Sequence, residues 1–243
     1  MNELNHISTL PPKEATKGVC KDNLTTFHKQ LFELQNVFYA DGRYGLLIIL
    51  QGMDTSGKDG TIRHVMTCMN PMGVRVQSFK KPTKEELKHD FLWRIYPHIP
   101  EKSMIQVFNR SYYEDIIIPT INNTLTEDKF KHRCLLINKV EQHLEQNNIL
   151  VLKFFLHISS NEQEERIKER LTKPHKRWKY SKEDKQAAKK YEEYIEAYNQ
   201  IIGQCNKVPW HVIQADKRWY RNYSVAKILT EYLKKLDLKY PNS

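Results

Sequence analysis

No run of about 18 or more apolar residues occurs in the 243-residue chain, which argues against a membrane-spanning helix. The first residues, MNELNHISTLPPKEATKG, contain no apolar segment of the kind a secretory signal requires, so the expected compartment is the cytoplasm. Cysteine is scarce and dispersed, at positions 20, 68, 134 and 205, and no C-x-x-C pair is present. That spacing argues against a zinc site or a disulfide framework; the cysteines read as free thiols in a reducing compartment. Neither an internal repeat nor a low-complexity tract interrupts the chain. Its length suits one domain, with room for an inserted subdomain. Acidic residues are also in short supply, 29 against 39 Lys and Arg, for a formal net charge of +10. Such a balance attracts polyanions, whether nucleic acid, an anionic membrane or polyphosphate.

Five short apolar runs read as strands: YGLLIIL from Tyr44, VRVQSF from Val74, MIQVFNR from Met104, ILVLKFFLHI from Ile149 and WHVIQA from Trp210. Helical spacing lies between them. Leu24, Phe27, Leu31, Leu34 and Phe38 predict a helix that Asp41-Gly42 ends, and Ile62, Val65, Met66 and Met69 predict another that stops at Asn70-Pro71. Thr83 and Glu86 have capping-box spacing before a helix containing Leu87, Phe91 and Ile95. Further helices are expected over 126–146, 161–171, 183–205 and 223–236. Apolar strands alternating with helices predict a parallel sheet covered on both faces. The expected layout is a flexible arm over residues 1–21 and one domain over 22–243. His64, His132 and His157 read as structural, and the Tyr191-Tyr194-Tyr198 stripe as core packing.

Directly after the first strand comes QGMDTSGKDG, residues 51–60. A glycine-rich turn between a buried strand and a helix is a phosphate cradle, with Gly52, Gly57 and Gly60 allowing close approach of the backbone and Lys58 neutralising charge. The Ser or Thr that normally follows the lysine is replaced by Asp59, and a second acid, Asp54, sits inside the loop. Carboxylates beside phosphates need a cation between them, so Mg²⁺ is inferred, with Mn²⁺ a possible substitute, and Asp54 and Asp59 as candidate ligands. Asp59 has an equal alternative as a helix-N-terminal acid. At the end of the third strand, FNRSYYED places Asn109 where a Walker B acid would stand, followed by Arg110 as a phosphate clamp. Between the fourth and fifth strands, about 160–185, lies a basic segment with Arg166, Arg170, Arg177 and Lys179, the expected lid. Arg75, Lys80 and Lys81 form a second basic cluster.

GMDTSGKDGTIRHVM, NPMGVRVQSFKKPTKEELKHDFLWR, IQVFNRSYYED, VLKFFLHISSNEQEERIKERL, RWKYSKED and PWHVIQADKRWYRN, in that order, resemble the type-2 polyphosphate kinases over nearly the whole chain. The resemblance implies a three-layer, thymidylate-kinase-like P-loop fold with a five-stranded parallel sheet and a helical lid. It implies reversible phosphoryl transfer between inorganic polyphosphate and purine nucleotides, with Asp54, Lys58 and Arg110 at the reaction centre. Gly52, Gly57, Asp59, Gly60, Asn109 and Glu114 would face the nucleotide and its phosphates. Arg63, Lys80, Lys81, Arg166, Arg170, Arg177 and Lys179 would carry the polyphosphate. The N-R-S-x-Y-E spelling, with Glu114, is similar to the branch that accepts nucleoside mono- and diphosphates. Homodimers or homotetramers are implied too, with no membrane and no specific nucleic acid as partners. Two rival readings remain at this level: an ATP-dependent nucleoside or nucleotide kinase, and a basic nucleic-acid-binding protein.

Overall fold

The computed structural model describes residues 3–180 and 188–241. All five expected strands form: β1 (Gly45–Gln51), β2 (Val74–Ser78), β3 (Ile105–Asn109), β4 (Ile149–His157) and β5 (Trp210–Gln214). They make one parallel sheet in the order β2-β3-β1-β4-β5. Every residue of β1 is buried because the strand is central, with Leu46 opposite both Ile105 and Leu150. Alternation along the strands divides the apolar side chains between two cores. Leu47, Ile49, Phe108, Val151 and Phe155 enter one, and Leu46, Ile48, Val107, Leu152 and Phe154 enter the other.

The helices with described bounds include α1 (Lys17–Asp41), α2 (Lys58–Thr61, continued by a π turn over Ile62–Met66), α3 (Glu114–Ile121), α4 (Glu127–Gln146), α5 (Ser160–Thr172), α6 (Tyr191–Gln204) and α7 (Arg218–Lys234). Phe38 of α1 and Leu229 of α7 pack in the second core. Ile117 of α3, Ile137 of α4 and Ile201 of α6 pack in the first, giving the three layers. Tyr198 is buried against Phe155, as the tyrosine stripe predicts. None of the helices among the described residues is long and apolar enough to cross a membrane.

Several local expectations are corrected. Residues 3–16, expected as part of a loose arm, are laid against the body. Leu4 is buried, its N–H donates to Asn199 Oδ1 at 2.7 Å and its carbonyl accepts from His157 Nε2 at 3.1 Å. Thr9 Oγ1 donates to Asp216 Oδ2 at 2.8 Å, and the helix that follows starts at Lys17. The Thr83–Glu86 capping box is present, with Thr83 N–H donating to Glu86 Oε2 at 2.6 Å and Glu86 N–H to Thr83 Oγ1 at 3.2 Å. It caps only a 3₁₀ turn, Glu86–Lys88. Asp90 then accepts from the Leu92 N–H at 2.9 Å, a local bond that competes with continuation of the helix. α3 was not expected, since Pro119 lies inside it. Pro119 has no N–H to reach the Asp115 carbonyl, and the Arg133 guanidinium donates to that carbonyl instead. α7 starts five residues earlier than expected. Part of the helix expected over 183–205 lies outside the described residues.

Candidate active site

The C-terminal end of β1 is where connections diverge to either side of the sheet, the position at which parallel α/β sheets bind ligands. The chain leaves β1 through Gly52 at φ 144° and enters α2 through Gly57 at φ 103°. A Cβ on Gly52 would lie 2.7 Å from the Leu156 carbonyl oxygen, and one on Gly57 only 1.8 Å from Arg221 Nη1. Glycine is therefore required at both ends of the loop. Asp59 and Gly60 follow in the first turn of α2.

Lys58 is buried, and its Nζ donates to the carbonyls of Gly52 at 2.6 Å and Met53 at 3.1 Å. Burial and then Arg110 push its ammonium pKa down to about 8, against the opposing pull of Asp54, Glu114 and Asp59. Arg110, at φ 64° just after β3, pairs with Asp54 on one side and with Glu114 at 3.6 Å on the other. Burial acts to raise the Asp54 pKa, but Arg110, Lys58 and Arg170 together outweigh it and hold the carboxyl below its ordinary value. At Glu114 burial prevails over the same Arg110 and Lys58, and the pKa is raised. Two acids on one arginine are thus driven in opposite directions. Asn109 ends β3 and donates from Nδ2 to Asp59 Oδ1 at 2.8 Å, so its amide orients an acid.

Asp54, Gly57, Lys58, Asp59, Gly60 and Arg110 line a cavity of about 1040 Å³. Glu114 stands behind Arg110. Arg63, Lys80, Lys81, Asn109, Arg166 and Arg170 complete the part of the wall foreseen in the sequence. Lys80 is fixed through its carbonyl by Arg94 Nη1 at 2.9 Å, while Arg94 Nη2 pairs with Asp115 at 2.9 Å.

Arg166, expected on the polyanion surface, borders the cavity but is buried, and its guanidinium fastens the loop to the end of β5. Its Nη1 donates to the carbonyls of Thr55 and Ser56, both at 2.9 Å. Nη2 donates to Ala215 O at 2.7 Å and Asp216 O at 2.9 Å, and Nε to Glu162 at 2.8 Å. A tight loop leaves carbonyls without backbone partners, and one buried guanidinium satisfies several at once. Arg177 donates to Leu171 O at 3.2 Å and is not part of the cavity wall. The Lys179 side chain and residues 181–187 of the expected lid lie outside the described residues.

Other residues enter the site that the sequence did not single out. Arg221 is buried behind Gly57, and its Nη1 donates to Ser56 O at 3.2 Å. Burial, followed by Arg166 and Arg218, pushes its guanidinium down to about 9. On α5, Glu169 accepts from Lys173 at 2.8 Å and from Lys176 and Arg218 at 2.6 Å each. The bonds from Lys173 and Lys176 hold its carboxyl well below the usual range. A helix started at Arg218 would have put Arg218, Arg221 and Asn222 on one face, the available signal. His64, expected to be structural, also lies in the cavity wall.

No group of three or more His, Cys, Asp or Glu able to hold a metal occurs among the described residues. Asp54 and Asp59 are instead two oxygen donors in the cavity wall. Such a set fits a hard divalent ion that keeps waters and shares phosphate oxygens, and it does not fit a zinc-type centre.

Known proteins resemble this chain over most of its length. An AMP/ADP-polyphosphate phosphotransferase of Meiothermus ruber is 41% identical over 230 residues, 94% of this chain and 86% of the relative. An ADP-polyphosphate phosphotransferase of Rhodopseudomonas palustris is 37% identical over 234 residues, covering 90% of this chain and 81% of its own length. The crystal structure of polyphosphate kinase 2 from Arthrobacter aurescens TC1 superposes with a TM-score of 0.95 at 36% identity, covering 99% of this chain and 88% of that one. The sequence profile of the polyphosphate kinase 2 (PPK2) family matches residues 14–241, and the chain belongs to that family.

Proposed function

We propose that this protein transfers phosphoryl groups reversibly between inorganic polyphosphate and purine nucleotides, with ADP and GDP, and also AMP and GMP, as acceptors. The observation that carries the reading is the arrangement of Asp54, Lys58, Arg110 and Glu114 around a glycine-framed loop inside a cavity walled by cations. The names of the relatives and the family match support it.

Phosphoryl transfer asks a protein for alignment and charge neutralisation more than for covalent chemistry. A nucleotide's terminal phosphate is already an ionised nucleophile, so no strong base is required. Lys58 exchanges the Gly52 and Met53 carbonyls for phosphate oxygens. Arg110, braced between Asp54 and Glu114, offers its planar fork to the group in flight. Charge complementarity of this kind contributes about 3–4 kcal/mol per well-placed donor. Asp54 and Asp59 would hold Mg²⁺, or Mn²⁺ in its place, and the bound ion would supply positive charge that offsets phosphate repulsion. Arg63, Lys80, Lys81 and Arg170 lead the polyphosphate chain to the loop. Free thiols and the absence, among the described residues, of any helix fit to span a bilayer support a cytoplasmic site of action.

A luciferase-coupled assay tests the reading, with Mg²⁺, long-chain polyphosphate and either ADP or AMP. ATP is expected from ADP directly, and from AMP after two transfers. ATP from ADP alone would remove the monophosphate acceptor, and ATP from neither would overturn the proposal.

A further inference from the structure

One charged side chain in the middle of a core strand has no part in the chemistry above. Lys153 interrupts the apolar run of β4, is 0% exposed, and belongs to the face of the strand that carries Val151 and Phe155. Its Nζ donates to Glu141 Oε2 at 2.6 Å, to the Tyr113 hydroxyl at 2.9 Å and to the Cys205 carbonyl at 2.9 Å. Three ammonium protons thus meet three acceptors. The other oxygen of Glu141, Oε1, accepts from the phenols of Tyr112 and Tyr113, both at 2.7 Å. Burial, and then the charge of Glu141, raise both phenols well above their ordinary pKa, so they remain O–H donors. Trp210 closes the network from β5, its ring 4.8 Å from that of Tyr113.

Tyr112 and Tyr113 lie, with Ser111, between Arg110 and Glu114. We propose that the buried Lys153–Glu141 pair acts through these two phenols to set the position of Arg110 and Glu114, making the four residues positioning elements of the reaction. The inference rests on the phosphotransferase reading of the site. Arg110 itself adopts a left-handed backbone conformation, which a non-glycine residue keeps only when its surroundings enforce it. Starting two residues on, two rings are pinned to a single carboxylate that α4 supplies and β4 neutralises. A buried ion pair adds little stability over apolar residues of the same volume, so stability alone is a weak reason for charge here. What the pair supplies that apolar side chains cannot is an acceptor at one fixed point for two hydroxyls.

A double-mutant cycle tests this, using Tyr113→Phe, Arg110→Ala and the combined variant of the full chain, with kcat and KM measured for ADP and polyphosphate. Tyr113→Phe is expected to lower kcat by about tenfold, as small misplacements of reacting groups do, with both KM values little changed. In the Arg110→Ala background the same change should cost markedly less, because most of its effect is relayed through Arg110. Losses that multiply would overturn the proposal. A second variant, Glu141→Leu with Lys153→Met, Tyr112→Phe and Tyr113→Phe, removes the buried donors together with their acceptor and guards against a folding defect. It should keep the wild-type melting temperature and still lose kcat, and wild-type kcat in it would equally overturn the inference. The cycle is read a second time as the melting shift produced by tripolyphosphate. A wild-type protein that transfers nothing would sink the function, while the second readout still decides the network.

Discussion

Lys58 illustrates how the site's energetics are set by individual side chains. Its ammonium is cationic below a pKa of about 8 and neutral above it, because burial and Arg110 disfavour the charge. The specificity constant reports the free enzyme, so kcat/KM should fall as pH rises through about 8, and a profile flat to pH 10 would remove Lys58 from the mechanism. Lys58→Ala should lower kcat at least about a hundredfold if the lysine stabilises charge in the transition state. Asn109→Asp would set two carboxylates where an amide now donates to Asp59. Divalent-ion affinity of the substrate-free protein, measured by calorimetry, should then rise several-fold, and unchanged affinity would show that Asp59 takes no part in holding the ion. At this scale, the residues within a local motif were legible: Asp54, Lys58 and Asp59 in one stretch, Asn109 and Arg110 in another. The loop-fastening role of Arg166 was not, since a basic run on a helix reads the same whether a guanidinium faces solvent or four carbonyls. Arg221 was not either, because what gives it meaning is a glycine far away in the chain.

Elements differ in how plainly they announce themselves. The strands are compact apolar runs, and each formed where its run lies. α3 was hidden by Pro119 and three consecutive isoleucines, which read as extended chain until Arg133 is seen occupying the carbonyl that proline leaves open. The docked N-terminal segment was equally hidden, since Leu4 and Thr9 show no periodicity and their partners lie at Asn199 and Asp216. Asp216 is the junction. One oxygen accepts from Thr9 and the other from the Ser159 N–H at 2.8 Å, at the start of α5. Asp216→Ala should therefore accelerate amide exchange both in residues 4–10 and in the first turn of α5, leaving β1 protected. Acceleration in only one of the two segments would show that they are not tied together.

For the molecule as a whole, the alternation of buried strands and helices disclosed the layers, while the strand order came only with the structure. The formal charge of +10 is concentrated where it can act, with Arg63, Lys80, Lys81, Arg170 and Arg218 around one cavity. A polyanion bound there releases counterions, so KM for long polyphosphate should rise steeply with salt, with a log–log slope of several, while KM for AMP rises far less. Equal slopes for the two substrates would mean that the basic wall does not carry the chain.

Arg221 leans on Gly57 and bonds to Ser56 across 165 positions of sequence. During synthesis the phosphate loop therefore leaves the ribosome long before the arginine that seats it. Its strand must also wait for both neighbours, which follow it in the chain. A nascent chain released before α7 would carry the whole glycine-lysine motif and still lack a finished cradle. A helix made late completes a loop made early.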